Sequence, residues 1–362
     1  MRDFLKRLRL DPLLLMLLLV LMAVGLMILF SASGQSEARM IRQLTRFGLA
    51  LVVLLAVAQI SVNYLFIWTP ALYLTGVVML VLVLVIGIEG KGAQRWLDLG
   101  LFRFQPSELM KLATPMIVAF YFAERQLPPS WKEVVVGGLL VVVPTALIYL
   151  QPDLGTALLI AFSGLVVVFV AGIRWRTIIV TTAVSMAAVP VLWRLMHDYQ
   201  KQRILVFIKP ETDPLGAGYH IIQSKIALGS GGIHGKGWLE GSQAHLEFLP
   251  EQSTDFIFSV FGEEFGLIGI ASLFVLYLLI VLRGLYIAWY AQDTYERLLA
   301  TGLSMTFFIY FFVNVGMVSG LLPVVGVPLP LVSYGGTSMV TLMAGFGMLM
   351  GIQNQRKLMS QR

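Results

Sequence analysis

The stretch GSGGIHGKGWLEGSQAHLEFLPEQSTDFIFSVFGEEFG, residues 229–266, is the most polar and glycine-rich part of a very apolar chain. Its end leads directly into a long apolar run that continues to Arg283. Pro250 stops the preceding chain, and Ser253 or Thr254 can cap a helix that begins here. The sequence therefore predicts a polar loop followed by a membrane helix, with Asp255 in the first helical turn.

Apolar runs of this kind recur along the whole chain. Of its 362 residues, 58% are hydrophobic and 13% are charged, whereas a soluble domain carries about 25% charged residues. Each run is near the roughly 20 residues that cross a bilayer as a helix. We expect an all-α polytopic membrane protein, with residues 1–362 as a single integral membrane domain. The predicted spans are 12–30, 47–60, 64–88, 107–123, 134–150, 156–173, 177–196, 255–283, 298–317 and 337–352, ten transmembrane helices in all.

The basic residues predict how these spans are oriented. They cluster near both ends of the chain and in alternate turns, which places both termini in the cytoplasm. Residues 197–254 then form a large extracytoplasmic loop between helices 7 and 8. The basic residues that produce the net charge of +6 lie in the predicted loops. They therefore indicate membrane topology and contact with anionic lipids, and we expect no nucleic-acid partner.

Many cations nevertheless remain on the predicted outer side. They are Arg39, Arg42, Arg46, Lys91, Arg95, Arg103, Lys201, Arg203, Lys209, Lys225 and Lys236. This surplus indicates an anionic ligand at the outer face, and contact with anionic head groups is the alternative. The absence of cysteine from the sequence excludes disulfides, thiol catalysis and cysteine metal sites.

Asp255 is the first candidate for chemistry. The helix dipole favours a carboxylate in the first turn, and an ionised carboxylate at a membrane surface can act as a general base toward a hydroxyl. The alternative is that Asp255 is only a good first-turn residue. The small residues that follow on the same helical face either seat a neighbouring helix or leave a groove for a lipid tail; they are Ser259, Gly262, Gly266 and Gly269.

Other candidates lie in spans and outer loops. Glu108 and Lys111 are three residues apart, so they share a helical face and can pair, either as a structural ion pair or with Lys111 free to meet a phosphate. Asp153, in QPDLGT, can cap the sixth span or join the outer cavity, even as a metal ligand. Arg95 and Arg103 can bind phosphate while Trp96 lies at the membrane interface, or all three are ordinary interface anchors.

Two glycine-rich motifs have different predicted roles. Ser333–Gly336, SYGG, breaks the backbone before span ten, and backbone exposed at membrane depth normally lines a cavity. Ser333, Tyr334 and Gly335 are therefore candidates for substrate support. GSGGIHGKG is not a Walker A motif, because no Ser or Thr follows Lys236; its glycines let the loop fold tightly over the membrane.

Several long motifs together resemble the SEDS family (shape, elongation, division and sporulation) of bacterial membrane proteins. They are FQPSELMK, QPDLGT, DPLGAGYHIIQSKIALGSGG, LEFLPEQSTDFIFSVFGEEFG and PLPLVSYGGTS, in the family's order and over essentially the whole chain. Their details resemble the elongation branch more than the division branch. The resemblance implies a GT-C-like membrane fold in the bacterial cytoplasmic (inner) membrane, with the active site on the extracytoplasmic side.

The resemblance also implies a peptidoglycan glycosyltransferase that polymerises lipid II into β-1,4-linked glycan and releases undecaprenyl pyrophosphate. Asp255 matches the family's essential aspartate and would be the catalytic base. Lys111, Arg95 and Arg103 would neutralise the pyrophosphate, Glu108 would position Lys111, and Asp153 would lie near the acceptor or a metal. A divalent cation, Mg²⁺ or Mn²⁺, could assist the departure of the pyrophosphate.

The implied partners are a class B penicillin-binding protein and the wider elongation machinery. Two other functions remain open from the sequence. A lipid II flippase would use the same cavity without forming a bond, although the ionisable groups cluster at the outer side and mark no path across the membrane. A non-catalytic scaffold for the penicillin-binding protein would not need Asp255.

Overall fold

Helices dominate the structure, a computed structural model. It describes residues 10–359 apart from 91–92, 99, 101–102, 210–212, 214–216, 242–250 and scattered positions from 176 to 197. The described helices are α1 (Pro12–Ala32), α2 (Glu37–Gln59), α3 (Val62–Ile86), α4 (Pro106–Ala123), α5 (Trp131–Leu150), α6 (Leu154–Val170), α7 (Asp198–Ile208), α8 (Ala217–Ser230), α9 (Ile257–Trp289), α10 (Thr294–Val318) and α11 (Thr337–Met359). The predicted seventh span, 177–196, falls largely on positions outside the described residues.

Six of these helices are long and apolar enough to cross a membrane: α1, α2, α3, α5, α9 and α10. Large apolar side chains point away from the protein on them, such as Ile67 at 66% exposure and Val85 at 72%. Such outward-facing apolar surface suits lipid and not water. The predicted class, a helical protein with several membrane spans, is confirmed.

Helix α2 begins ten residues before the predicted second span. Its first three turns carry Arg39, Arg42 and Arg46, which the sequence placed in a loop. Gln43 and Phe47 are buried along the neighbouring stripe of the same turns. The segment is therefore amphipathic, and hydropathy alone put the start of the helix too late.

A small antiparallel sheet replaces the loop predicted between the third and fourth spans, so the all-α prediction is wrong there. Its strands are β1 (Ile88–Gly90), β2 (Ala93–Asp98) and β3 (Arg103–Phe104), in the order β1-β2-β3. Trp96 lies opposite Ile88, and Leu97 lies opposite Phe104. Strands this short carry too few alternating residues for the pattern to be visible in the sequence.

Helix α9 is broken at Gly266, whose φ of 62° and ψ of −162° are not helical. Residues 231–241, which we call the glycine segment, supply partners for the backbone groups around the break. The four hydrogen bonds run from Lys236 N to Glu263 O, Gly237 N to Glu264 O, Leu267 N to Gly232 O and Ile268 N to Ile233 O, all between 2.9 and 3.1 Å. The break is thus satisfied by a second segment of chain.

Side chains clamp the glycine segment between α9 and α1. Lys236 Nζ donates to the buried Glu263 Oε1 at 2.7 Å, and Trp238 Nε1 donates to the Met27 carbonyl at 3.2 Å. The next residue of α9, Glu264, accepts a hydrogen bond from Ser31 of α1. The glycines of the segment permit this close packing, because an added Cβ at Gly231 or Gly235 would lie 2.1 Å from a carbonyl oxygen of α9.

The small residues on the first half of α9 seat a neighbouring helix. A Cβ at Gly262 would lie 2.4 Å from Leu228 of α8, and Ser259 is fully buried. Of the two sequence interpretations of this stripe, the structure supports helix packing at Gly262.

Candidate active site

Asp255 lies in a turn immediately before α9 and not in the helix itself. The helix begins at Ile257 with Phe256 at its N-cap, so the prediction that Asp255 occupies the first helical turn is wrong. Residues 251–256 form the turn, in which Thr254 Oγ1 donates to the Glu251 carboxylate at 2.8 Å. Asp255 is half-buried there, and the turn sets its carboxylate just outside the end of the helix.

The SYGG motif fixes the backbone before Asp255. Ser333 Oγ donates to the Thr254 carbonyl at 2.5 Å, and the Tyr334 amide donates to the Ser253 carbonyl at 2.8 Å. Ser333 Oγ also accepts from the Leu329 amide at 2.8 Å. Two of the three residues singled out in SYGG therefore touch the Asp255 turn directly. At the third, Gly335, an added Cβ would meet open space.

The Asp255 carboxylate faces a second backbone segment, residues 325–327. A Cβ at Gly326, which has a φ of +71°, would lie 3.4 Å from Asp255 Oδ2. On one side of Gly326, the Val325 carbonyl approaches Gly155 at the start of α6. On the other side, Val327 packs against Tyr310 of α10. The 325–327 segment thus links Asp255 to the group of helices α4, α6 and α10, which pack against one another.

That group holds the predicted Glu108–Lys111 pair. Lys111 Nζ lies 2.7 Å from Glu108 Oε1, and both side chains are buried. Lys111 Nζ also lies 5.0 Å from the centre of the Tyr310 ring. The spacing argument therefore paired the correct residues, and the structure adds Tyr310.

Asp153 caps α6, which is one of its two interpretations from the sequence, and it also pairs with Arg95, which the sequence did not indicate. It is the N-cap of α6, where its Oδ1 accepts from the Thr156 amide at 3.2 Å. Its Oδ2 lies 3.4 Å from Arg95 Nε, and Arg95 Nη2 donates to the Pro152 carbonyl at 3.0 Å. The β-sheet thereby brings Arg95 to the start of α6.

The other two candidates on the sheet, Trp96 and Arg103, are more exposed than Asp153. Trp96 is half-buried on β2, and Arg103 is exposed on β3 opposite Asp98. Within the described residues, no group of three or more His, Asp or Glu side chains could hold a metal ion. Asp153 therefore lacks, among the described residues, the acidic or histidine partners with which to form such a site.

Three side chains of α2 contact SYGG, and none of them was predicted as part of the site. Arg46 lies over the Tyr334 ring at 4.4 Å, and Arg42 Nε donates to the Tyr334 hydroxyl at 3.1 Å. The fully buried Gln43 donates to the Ser333 carbonyl at 3.3 Å. Their spacing of three and four residues was a helical signal, but it was hidden by the assignment of this stretch to a loop.

A histidine beside the turn is held in its neutral form. The His220 ring of α8 stacks on Phe256 with centroids 5.8 Å apart. Burial lowers the pKa of His220 below its ordinary value of 6.5, although the nearby Asp213 and Glu251 raise it. Burial therefore favours the neutral form of the His220 ring beside Phe256.

The whole chain is similar to proteins of known activity. Residues 11–358 match the FtsW/RodA/SpoVE family, described as cell cycle proteins. Peptidoglycan glycosyltransferase MrdB of Escherichia coli K12 is 51% identical over 361 residues, which cover 99% of this chain and 98% of that protein.

Solved structures share the fold over the same length. One belongs to a peptidoglycan synthase complex that coordinates polymerization and crosslinking; it is 32% identical, with a TM-score of 0.84 over 96% of this chain and 98% of that one. The rod shape determining protein RodA of Thermus thermophilus is 30% identical, with a TM-score of 0.72 over 96% of this chain and 97% of that one.

Proposed function

The chain belongs to the FtsW/RodA/SpoVE family of cell cycle proteins, and we propose that it is a peptidoglycan glycosyltransferase that polymerises lipid II during cell elongation. The full-length identity of 51% to a peptidoglycan glycosyltransferase carries this proposal. The site supports it, because a half-buried carboxylate in a fixed turn is linked through residues 325–327 to a buried cation.

The proposed reaction is a direct displacement. Asp255 takes the proton from the 4-hydroxyl of the acceptor GlcNAc, and that oxygen attacks C1 of the donor MurNAc. The new β-1,4 bond forms as the bond from C1 to the pyrophosphate oxygen breaks. Undecaprenyl pyrophosphate leaves with the electron pair, so its growing negative charge must be neutralised.

Cations around the start of α6 suit that task. Lys111, Arg95 and Arg103 are the proposed partners of the pyrophosphate, with Glu108 positioning Lys111 and Asp153 positioning Arg95. In support, Glu108 and Asp153 each already contact the cation that they would orient. Because Lys111 and Arg95 are each held by a carboxylate, they would bind the pyrophosphate in a defined position.

The remaining candidates support the substrate less directly. Ser333 and Tyr334 hold the turn, Gly335 leaves room beside it, and Trp96 is the proposed anchor at the membrane–water interface. A divalent cation, Mg²⁺ or Mn²⁺, would reach the site with the pyrophosphate oxygens, because the donor set of the described residues does not suit a resident metal.

The proposed architecture is a GT-C-like domain of ten membrane helices over residues 1–362 in the bacterial inner membrane. Both termini are cytoplasmic, and residues 197–254 and the active site are extracytoplasmic. The distribution of Lys and Arg supports this orientation. The outer cations also suit anionic lipid head groups.

A class B penicillin-binding protein is the proposed partner, within the elongation machinery. Support comes from the similar chain in a complex that coordinates polymerization with crosslinking. Such a partner would crosslink the strands that this chain makes.

Polymerisation of lipid II tests the proposal. The purified chain is given lipid II, alone and with its cognate class B penicillin-binding protein, whose transpeptidase is blocked by a β-lactam. We expect glycan strands on a gel, at least from the complex. A flippase would move lipid II across a liposome membrane and make no polymer, and a scaffold would do neither. A verified complex that makes no polymer contradicts the proposal.

A further inference from the structure

Helix α10 carries a buried amide, Asn314, that touches the candidate base. Its side chain is 0% exposed. Its Nδ2 donates two hydrogen bonds, to the Asp255 carbonyl at 2.9 Å and to the Val327 carbonyl at 2.7 Å. We propose that Asn314 is a positioning residue for Asp255, an inference that rests on the proposed glycosyltransferase function.

The two carbonyls fix the orientation of the amide. Only the nitrogen end of Asn314 can donate, so a flipped amide would set its oxygen against two carbonyl oxygens. The Oδ1 atom, in turn, is buried and has no partner among the residues that the structure describes. An unpaired buried acceptor is unfavourable, so an apolar residue would serve better if this position only packed the helix. The amide is therefore suited to holding the two carbonyls together.

The same face of α10 holds the second charged centre. Tyr310 lies four residues before Asn314, one helical turn away. The Lys111 Nζ atom lies 5.0 Å from the centre of the Tyr310 ring, and the ring packs against Val327. One turn of α10 thus sets the base relative to the cation. The displacement needs both at once, the base at the acceptor hydroxyl and the cation at the leaving group, so their separation affects the rate of chemistry.

Loss of the amide should affect the chemical step more than binding. Without Asn314, the Asp255 carbonyl loses a donor and the turn can shift against residues 325–327. Displacements of about 1 Å in a reacting group can lower a rate about 100-fold. We expect kcat to fall about 10- to 100-fold, with KM for lipid II within about twofold, because Asn314 is buried and touches no substrate.

The test uses Asn314→Asp, which keeps the shape and removes the donor, and Asn314→Leu, which removes all polarity. Polymerisation kinetics are measured in the complex with the cognate penicillin-binding protein. Binding of a lipid II analogue lacking the GlcNAc 4-hydroxyl, which cannot extend a strand, counts the folded sites. Ser304→Ala is the matched control, because it removes a buried hydroxyl of α10 whose one hydrogen bond among the described residues goes to the Ala300 carbonyl of its own helix.

A loss in kcat per folded site in both variants, with KM retained and Ser304→Ala unaffected, supports the proposal. Wild-type kcat per folded site overturns it, even if fewer sites fold, and so does a rise in KM alone. If neither variant folds, Asn314→Gln carries the test, since it keeps the amide but displaces it by one methylene; wild-type kcat in that variant overturns the proposal.

Wild type and Asp255→Asn accompany every assay and separate the two levels of inference. If wild type makes no polymer, the proposed function fails. If wild type is active, Asp255→Asn is inactive and the Asn314 variants are normal, only the positioning role fails.

Discussion

At the scale of single residues, the pair Glu108 and Lys111 can be tested for more than stability. Glu108→Gln leaves the Lys111 ammonium buried without its carboxylate, and breaking a buried pair typically costs about 3–5 kcal/mol. We expect a lower melting temperature in detergent and loss of polymerisation. The measurements are thermal unfolding and strand synthesis from lipid II.

The double variant Glu108→Gln/Lys111→Met is the decisive control. It removes both charges, so the melting temperature should return close to that of wild type. Polymerisation should stay lost, because the cation proposed to face the pyrophosphate is absent. Wild-type strand synthesis by the double variant would show that the pair is only structural.

These residues also show what the sequence could predict at this scale. The i,i+3 spacing of Glu108 and Lys111 identified a pair, because both residues lie on one helix. Asn314 could be noticed only as an amide in an apolar run. Its partners, Asp255 and Val327, are brought to it by the fold, so nothing local in the sequence indicated them.

At the scale of elements, the contact between the glycine segment and the break in α9 leads to a prediction about Gly235. This residue has a φ of +80°, and an added Cβ would lie 2.1 Å from the Glu264 carbonyl oxygen. Gly235→Ala should therefore push the segment off the helix and destabilise the protein by about 1–3 kcal/mol. Thermal unfolding in detergent measures the loss.

Gly229→Ala is the control for this change, because an added Cβ there meets nothing within 4 Å. It should leave the melting temperature unchanged or slightly raised, since Gly229 lies in α8 and Ala favours a helix. Equal destabilisation by the two variants would mean that the tight packing at Gly235 does not matter.

The sequence predicted most elements but not the long-range contacts that shape them. The starts of α1 and α4 were predicted within one residue, because apolar runs determine them. The break at Gly266 was missed, since the hydrogen bonds that make it tolerable come from residues 231–237. The early start of α2 was missed because its first three turns are amphipathic.

At the scale of the whole molecule, Asp11 and Arg283 tie α1 to the far end of α9. Asp11 is 1% exposed, caps α1 through the Leu14 amide at 2.8 Å, and receives Arg283 Nη2 at 2.6 Å and Nε at 3.1 Å. At about 1.5 Å per residue, about 40 Å of helix separates Arg283 from Ile257. The pair therefore stabilises the fold away from the site.

Arg283→Met should leave Asp11 buried and unpaired, and lower stability by about 3 kcal/mol. Strand synthesis per folded molecule should not change, because the pair is remote from Asp255. Asp11→Asn/Arg283→Met should recover most of the stability. A fall in the per-molecule rate at unchanged lipid II binding would show that this end of α9 is coupled to the site.

The central claim is that Asp255 is the base of a glycosyltransferase. The most direct measurement compares strand synthesis by Asp255→Asn with that by Glu251→Gln, an exposed carboxylate of the same turn. Both are assayed with the cognate penicillin-binding protein, with sites counted by the analogue lacking the GlcNAc 4-hydroxyl. Because a general base contributes typically about 10²- to 10⁴-fold, Asp255→Asn should bind the analogue normally and lose at least about 100-fold in rate, while Glu251→Gln stays near wild type. Equal synthesis by Asp255→Asn and wild type would contradict the account.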